Sequence, residues 1–188
     1  MLPDMWRAKS PISKLLAGGY GHPYHPALVT VPIGAWVASL VFDLASHVTA
    51  KPAFLAAGSE WLIAVGIAGA IIASLAGFID LLSLAEGTPA YRTAVAHMVL
   101  NLLVTVLYAV DFLWRQRTYG TNTPVGMGML TLSAGCVVLL TVSGFLGGKL
   151  AFRYGVRVAD EATQESGYVT RDERGARRRG EAQELPRH

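Results

Sequence analysis

Cysteine is almost absent from the sequence: Cys136 is the single one, and it lies inside an apolar run. One cysteine excludes an intramolecular disulfide, a cysteine-ligated zinc site, an iron–sulfur cluster and a CxxCH haem attachment within this chain. The sequence also lacks a phosphate-cradling glycine loop, GxSxG and HExxH. We therefore expect Cys136 to be a small buried residue, and we expect the chain not to be an enzyme on its own.

Charged residues are scarce as well. They make up 15% of the 188 residues, whereas hydrophobic residues make up 52% and the mean hydropathy is +0.39. A soluble domain has about 25% charged residues, so this composition predicts a chain that folds in lipid, with no nucleic-acid partner. Many of the charges lie between residues 160 and 188, where six arginines accompany seven acidic residues and apolar residues are few. That composition predicts a disordered charged tail.

Four apolar segments are long enough to cross a bilayer, which takes about 20 residues of helix. They cover about residues 27 to 46, 61 to 84, 94 to 114 and 124 to 147. The connectors between them contain turn-forming residues such as Pro52, Gly87 and Gly120. The sequence therefore predicts an all-α integral membrane protein built as a four-helix transmembrane bundle.

The transmembrane domain, residues 27–148, is expected to be flanked by three shorter regions. Residues 1–26 form a cytoplasmic N-terminal segment, residues 149–159 form an amphipathic interfacial helix, and residues 160–188 form the tail. Basic residues support this orientation, because four crossings place both termini on one face. Seven basic residues flank the spans on the terminal side and three on the other: Arg7, Lys9, Lys14, Arg92, Lys149, Arg153 and Arg157 against Lys51, Arg115 and Arg117. The positive-inside rule then predicts cytoplasmic termini.

Polar residues form stripes on the predicted spans, where ionisable groups are costly and mark candidate sites. The stripe on the first span consists of Pro32, Trp36, Ser39, Asp43 and His47, and that on the third of His97, Asn101, Tyr108 and Asp111. Asp43 and His47 are spaced as an i, i+4 pair that can interact directly. Two clusters follow from the depth of these residues. One holds His22, His25, Asp80, His97 and Asn101, and the other holds Asp43, His47 and Asp111 with Glu60 and Arg115 at its rim.

The first span is preceded by two histidines between prolines, in the order Gly21-His22-Pro23-Tyr24-His25-Pro26. Proline stiffens the turn and begins the helix, so the imidazoles are held at a fixed spacing near the membrane surface. This rigidity suits a ligand pair. The structural alternative is that the prolines only start the helix and the imidazoles bond to backbone and carboxylate groups.

These motifs resemble the bacterial membrane family called domain of unknown function 2231. The resemblance covers roughly residues 20 to 158 and is carried by Gly21 to Val29, Pro32-Ile33-Gly34, Asp43, Gly77-Phe78-Ile79-Asp80 and His97 to Asn101. It implies a multi-pass protein of the bacterial inner membrane. The segment Gly147-Gly148-Lys149-Leu150 to Gly155-Val156 looks like the end of members that continue into a Rieske domain or sit beside redox proteins. No iron–sulfur motif follows here, so the resemblance implies a redox role by association alone.

The first of three functional hypotheses is a redox-linked subunit that binds a haem b. Its axial ligands would be His97 and either His22 or His25, because a haem in a helical bundle takes imidazoles from different helices. Asp80 and Asn101 would orient those imidazoles. A stripe of small residues on the second span, Gly66, Gly69, Ala73 and Gly77, would offer an apolar slot at its Gly77 end. A non-haem metal bound by His22, His25, His97 and Asp80 is the equivalent alternative.

The second hypothesis is a structural or assembly subunit of a larger membrane complex, without a cofactor. In it the glycine stripe packs helices together, and the buried polar residues join helices by hydrogen bonds. The third is proton or ion movement. Val104 and Thr105, in the middle of the polar stripe of the third span, offer no ionisable relay, so this movement is unfavourable in a monomer and would need a pathway between subunits. Expected partners are lipid, other membrane or redox subunits, or further copies of the chain.

Overall fold

The computed structural model describes residues 3–168, and helices dominate that part of the chain. In chain order the elements are α1 (Pro3–Lys9), α2 (Lys14–Ala17), β1 (Gly18–Gly19), β2 (His22–Pro23), α3 (Tyr24–Leu28), α4 (Thr30–Ser46), α5 (Pro52–Leu81), α6 (Pro89–Arg115), α7 (Met127–Phe152) and α8 (Glu161–Glu165). Within residues 3–168, four helical stretches are long and apolar enough to cross a membrane: Tyr24–Ser46, Pro52–Leu81, Pro89–Arg115 and Met127–Phe152. The all-α, four-span prediction is thus confirmed.

Most ends of the spans differ from the predicted ends by up to five residues, and the start of α5 differs by nine. Helix α5 begins at Pro52 rather than near residue 61, because a proline at the first helical position needs no hydrogen-bond partner. Helix α7 continues to Phe152, so residues 149–152 extend the last span instead of forming a separate interfacial helix. After α7 the chain turns sharply at Gly155 and Arg157, whose φ angles are 65° and 59°.

The first span is interrupted at Val29, between α3 and α4. Pro32 lies four residues beyond Leu28 and has no N–H to donate to the Leu28 carbonyl. The helix resumes at Thr30, and the N–H of Ile33 donates to the Val29 carbonyl over 3.2 Å. The break therefore follows from the sequence, and it separates His25 on α3 from the polar stripe of α4.

The four spans form a closed bundle in which α4 packs on α5, α5 on α6, α6 on α7, and α7 on α4. Its apolar core is formed by Trp36, Ile63, Ala70, Val104, Tyr108 and Cys136. The indole of Trp36 occupies the space in front of Gly66, where any side chain would overlap with it. Gly66 therefore serves helix packing, as the structural interpretation of the glycine stripe predicts.

The N-terminal segment doubles back on itself just before the first span. Strands β1 and β2 pair antiparallel, with Gly18 opposite Pro23 and Gly19 opposite His22. Gly18 has a φ of 83°, and a Cβ there would overlap the His22 carbonyl oxygen, so the hairpin requires glycine. The segment also packs on the bundle, because Ala8 joins Leu81, Leu84 and Ala94 in a small apolar cluster.

The chain divides into two compact units, residues 1–158 and 159–188. The described part of the second unit contains α8, where the Asp160 carboxylate accepts a hydrogen bond from the Thr163 N–H over 2.8 Å. This helix differs from the disorder predicted from residue 160 onward, because an aspartate cap followed by Glu161 favours a helix start. The rest of the predicted tail, from residue 169, lies outside the described residues.

Candidate functional site

Arg115 lies at the centre of one of the two polar sites of the bundle. Its Nη1 and Nη2 atoms donate to the two carboxylate oxygens of Asp43 over 2.8 and 2.7 Å. Its Nε and Nη2 atoms also donate to Oδ2 of Asp111 over 3.2 and 3.0 Å. The guanidinium of α6 is thereby fixed between a carboxylate on α4 and one on its own helix, in the paired geometry that makes arginine–carboxylate contacts strong.

Two serines extend this contact to the remaining helices. Ser59 of α5 donates to Asp43 Oδ1 and accepts from Arg115 Nη1, and Ser133 of α7 donates to Asp111 Oδ2 and accepts from Arg115 Nη2. We call Asp43, Ser59, Asp111, Arg115 and Ser133 the arginine cluster. Each of the four spans contributes at least one of these residues, so the cluster ties the whole bundle together at one end.

The arginine cluster differs from the predicted second cluster in its centre. Arg115 was expected at the rim, but it is 3% exposed, while Asp43 and Asp111 are fully buried. His47, predicted to pair with Asp43, is exposed and follows the last residue of α4. Asp43 bonds to Arg115 instead, because a guanidinium offers two parallel donors to one carboxylate whereas an imidazole offers one.

Glu60 lies beside the arginine cluster, as predicted, and accepts a hydrogen bond from Gln116. Next to Glu60 and Arg115 is a cavity of about 20 Å³, bounded on its far side by the loop from Thr118 to Val125. A cavity of this size has room for one water molecule, and its lining is polar enough to bind one. The loop therefore closes the arginine cluster at this end of the bundle.

His25 and His97 meet in the second polar site. Their ring centres are 6.2 Å apart and their planes are nearly perpendicular, at 86°. His25 Nδ1 lies 2.9 Å from the Ala73 carbonyl oxygen of α5, and His97 Nδ1 lies 2.8 Å from the Ser143 carbonyl oxygen of α7. We call His25, His97, Asn101 and Ser143 the histidine site. Two helices thus present imidazoles to each other, and the other two fix their orientation.

The hydrogen bonds assign the tautomer of both imidazoles. A carbonyl oxygen only accepts, so Nδ1 of His25 and of His97 must carry the proton. Nε2 of each ring is then the nitrogen left for a ligand bond. In His97 this atom is 3.1 Å from Nδ2 of Asn101, which also donates to the His97 carbonyl over 2.9 Å.

Two glycines allow these imidazoles to approach the neighbouring helices. A Cβ at Gly77 would lie 2.9 Å from His25 Cε1, and one at Gly147 would lie 3.0 Å from His97 Cε1. Contacts this short force the ring or the helix to move. The Gly77 end of the predicted slot therefore faces His25, and Gly147, which was predicted only as part of a family motif, has the same role toward His97.

The other two residues of the predicted metal site, His22 and Asp80, have other partners. His22 is exposed in β2, with Nδ1 3.3 Å from the Tyr20 carbonyl oxygen, and Asp80 forms an ion pair with Arg157. Within residues 3–168 no group of three or more His, Cys, Asp or Glu side chains is placed to hold a metal ion. Of the first predicted cluster, the structure brings together His25, His97 and Asn101.

Sequence reasoning missed the role of Arg157, which was assigned to the interfacial helix. It is 4% exposed, and its Nη2 donates to the carbonyl oxygens of Ala17 and Gly18 over 2.7 and 3.0 Å. Its Nε lies 2.8 Å from Asp80 Oδ1, an ion pair without the alignment of a hydrogen bond. We call Asp80, Arg157, Ala17 and Gly18 the Arg157 junction. It joins the chain before the first span to the chain after the last one.

Comparison with known proteins agrees with this architecture. A family model described as predicted membrane protein, DUF2231, matches residues 21–160, from the proline-flanked histidines to the chain just beyond the Arg157 junction. The matched range contains all four spans and both polar sites. No curated protein and no solved structure matches the chain.

Proposed function

The chain belongs to the membrane protein family DUF2231, and on that premise we propose that it is a subunit that binds one haem b between His25 and His97. The observation that carries the proposal is the 6.2 Å separation of the two imidazole ring centres. Metal–imidazole bonds are about 2.0–2.1 Å long, so two rings on opposite sides of one metal ion have centres about 6 Å apart. The separation is therefore one at which His25 and His97 would hold a single iron centre between them.

Hydrogen bonding supports the same proposal. Histidines that bind metals almost always donate the other ring N–H to a carbonyl or carboxylate, which fixes the tautomer and the ring orientation. Ala73 and Ser143 supply such carbonyls to His25 and His97. Asn101 is predicted to orient an imidazole, but its Nδ2 faces Nε2 of His97, the nitrogen that would bind iron. It must rotate away when the haem binds.

The distribution of basic residues supports an orientation for the proposed haem subunit. The basic residues at the terminal side of the spans favour cytoplasmic termini in a bacterial inner membrane. The histidine site then lies toward the cytoplasmic side. A haem held there by two imidazoles carries one electron at a time, so the partners we propose are other redox subunits or further copies of this chain.

The test is an absorption spectrum of the detergent-purified protein, oxidised and dithionite-reduced, with metal analysis of the same sample. We expect one haem per chain, lost in His25→Ala and His97→Ala and retained in His47→Ala, which changes an exposed histidine. Added imidazole restores part of the reduced band in His97→Ala if the bundle is intact. A featureless spectrum without stoichiometric metal, from folded protein expressed with haem and metals available, would overturn the proposal.

A structural or assembly subunit is the second candidate, and a specific observation favours it. Both ring nitrogens of His97 already have partners within the protein, Ser143 and Asn101. The arginine cluster likewise joins all four helices without any cofactor. In this role His97→Gln keeps the assembly intact and no variant changes a spectrum, whereas the haem proposal predicts that His97→Gln loses the reduced band.

A further inference from the structure

The N-terminal segment exposes apolar side chains although it belongs to no span. Five large apolar residues of residues 3–17 are between 46% and 83% exposed: Met5, Trp6, Ile12, Leu15 and Leu16. Exposed apolar residues on the spans face lipid, but these five precede the first span, which begins at Tyr24. Large exposed apolar side chains concentrated in one short segment outside the spans mark a site of interaction.

This segment is held at the end of the bundle. Helix α2 contacts α3 and α5, and the hairpin of β1 and β2 turns the chain back toward the start of the first span. Ala8 of α1 packs on Leu81 and Ala94, which lie at the end of α5 and the beginning of α6. The Arg157 junction fixes the carbonyls at the end of α2. The segment is therefore anchored where the spans leave the membrane.

We infer that α1 and α2 lie in the headgroup region of the bilayer, with Trp6, Leu15 and Leu16 inserted between anionic phospholipids. Arg7 and Lys14 are exposed on the same segment, and Arg92 and Arg153 are exposed near the adjoining helix ends. Apolar side chains interleaved with basic ones match the interface, where hydrocarbon and phosphate lie within a few ångströms of each other. The predicted cytoplasmic segment is then an in-plane membrane anchor.

The test places a fluorescent label on single cysteines in a Cys136→Ala background, in vesicles of phosphatidylglycerol and phosphatidylcholine. Leu15→Cys reports the apolar surface. Asp4→Cys is the control, because Asp4 is an exposed charged residue of the same segment and lies about 200 degrees from Trp6 around α1. We expect lipids with a nitroxide near the headgroup to quench the Leu15 label at least about twofold more than the Asp4 label. Aqueous iodide should show the reverse order.

Two outcomes would overturn the inference. Equal quenching of both labels by iodide would mean that the segment stays in water. A Leu15 label protected from iodide and also from the lipid nitroxide would be buried against protein, such as a second copy of the chain. Vesicles of phosphatidylcholine alone test whether the basic residues need anionic lipid. In them, quenching of the Leu15 label by the lipid nitroxide should fall. Unchanged quenching would reject the role of Arg7 and Lys14. Gel filtration of each labelled protein checks that it is folded.

Discussion

The ring of Trp36 lies flat on the ring of Tyr108, with centres 4.3 Å apart and planes 14° apart. This stack, with the buried side chains of Ile63 and Val104, fills the middle of the bundle between the histidine site and the arginine cluster. Such aromatic pairs contribute about 0.5–1.5 kcal/mol beyond their buried area. Apart from the Tyr108 hydroxyl, the side chains of this layer carry no ionisable group, which argues against proton or ion movement through a single bundle.

Replacing Arg115 should unfold the bundle more easily than replacing any exposed basic residue. In Arg115→Met, two buried carboxylates lose the cation they share, and breaking a buried ion pair costs about 3–5 kcal/mol. Arg117→Met is the matched control, since Arg117 is exposed two residues away. Thermal unfolding of both variants in the same detergent is the measurement, and equal midpoints would show that the arginine cluster does not stabilise the bundle.

The two carboxylates of the arginine cluster should respond differently to amide replacement. Both oxygens of Asp43 bond to Arg115, whereas Oδ1 of Asp111 has no hydrogen-bond partner among the described residues. We expect Asp43→Asn to cost about 3–5 kcal/mol, because the new amide NH2 must replace an oxygen that accepts from Arg115. Asp111→Asn should cost less, because the amide NH2 can take the place of Oδ1, which accepts no hydrogen bond among the described residues. Denaturant titration in mixed micelles would measure both, and a larger loss in Asp111→Asn would contradict the assignment of Asp43 as the main partner.

Adding a methyl group at Gly147 should disturb the histidine site. Its Cβ would lie 3.0 Å from His97 Cε1, so Gly147→Ala must push the ring or the helix aside, at about 1–3 kcal/mol. Gly148→Ala is the control on the same helix, because no described side chain or distant backbone atom lies within 4 Å of its Cβ. Thermal unfolding and haem content are the measurements. If both variants behave like the wild type, His97 is not packed against α7 as described.

Removing the charge of Arg157 should release the N-terminal segment without unfolding the spans. Arg157→Gln loses the ion pair with Asp80 and weakens the hydrogen bonds to the carbonyls of Ala17 and Gly18. Hydrogen exchange of the peptide covering residues 8–20 should then rise at least about tenfold, as expected for a loss of about 1.4 kcal/mol of local stability. Arg153→Gln, at an exposed neighbour, should leave it unchanged. Equal exchange in both variants would mean that other contacts hold the segment.

The sequence predicted most of the fold because hydropathy and helical periodicity are local signals. The stripe from His97 to Asp111 faces inward as predicted, and the contact between His97 and Asn101 follows from their i, i+4 spacing. The spans differ from the prediction only at their ends, by nine residues at Pro52 and by up to five elsewhere. At Pro52 a proline begins a helix that hydropathy alone would start later.

The central residues of the arginine cluster and of the Arg157 junction were not predictable in this way. Arg115 lies near the end of a helix. It is buried because it bonds to the carboxylate of Asp43, 72 residues earlier in the chain. Arg157 bonds to a carbonyl 140 residues away and adopts a positive φ that no local pattern requires of an arginine. The sequence therefore places both residues at a membrane surface. Their buried partners become visible only when the helices are packed together.

The 140 residues between Ala17 and Arg157 also set an order of events during synthesis. At about 5–20 residues per second, Arg157 leaves the ribosome roughly 7–28 s after Ala17. Throughout that delay the carbonyls at the end of α2 lack the guanidinium that holds them in the finished protein. The beginning of the chain can therefore take its final place only after the fourth span has been made, so completion of the membrane unit depends on the last segment to be inserted.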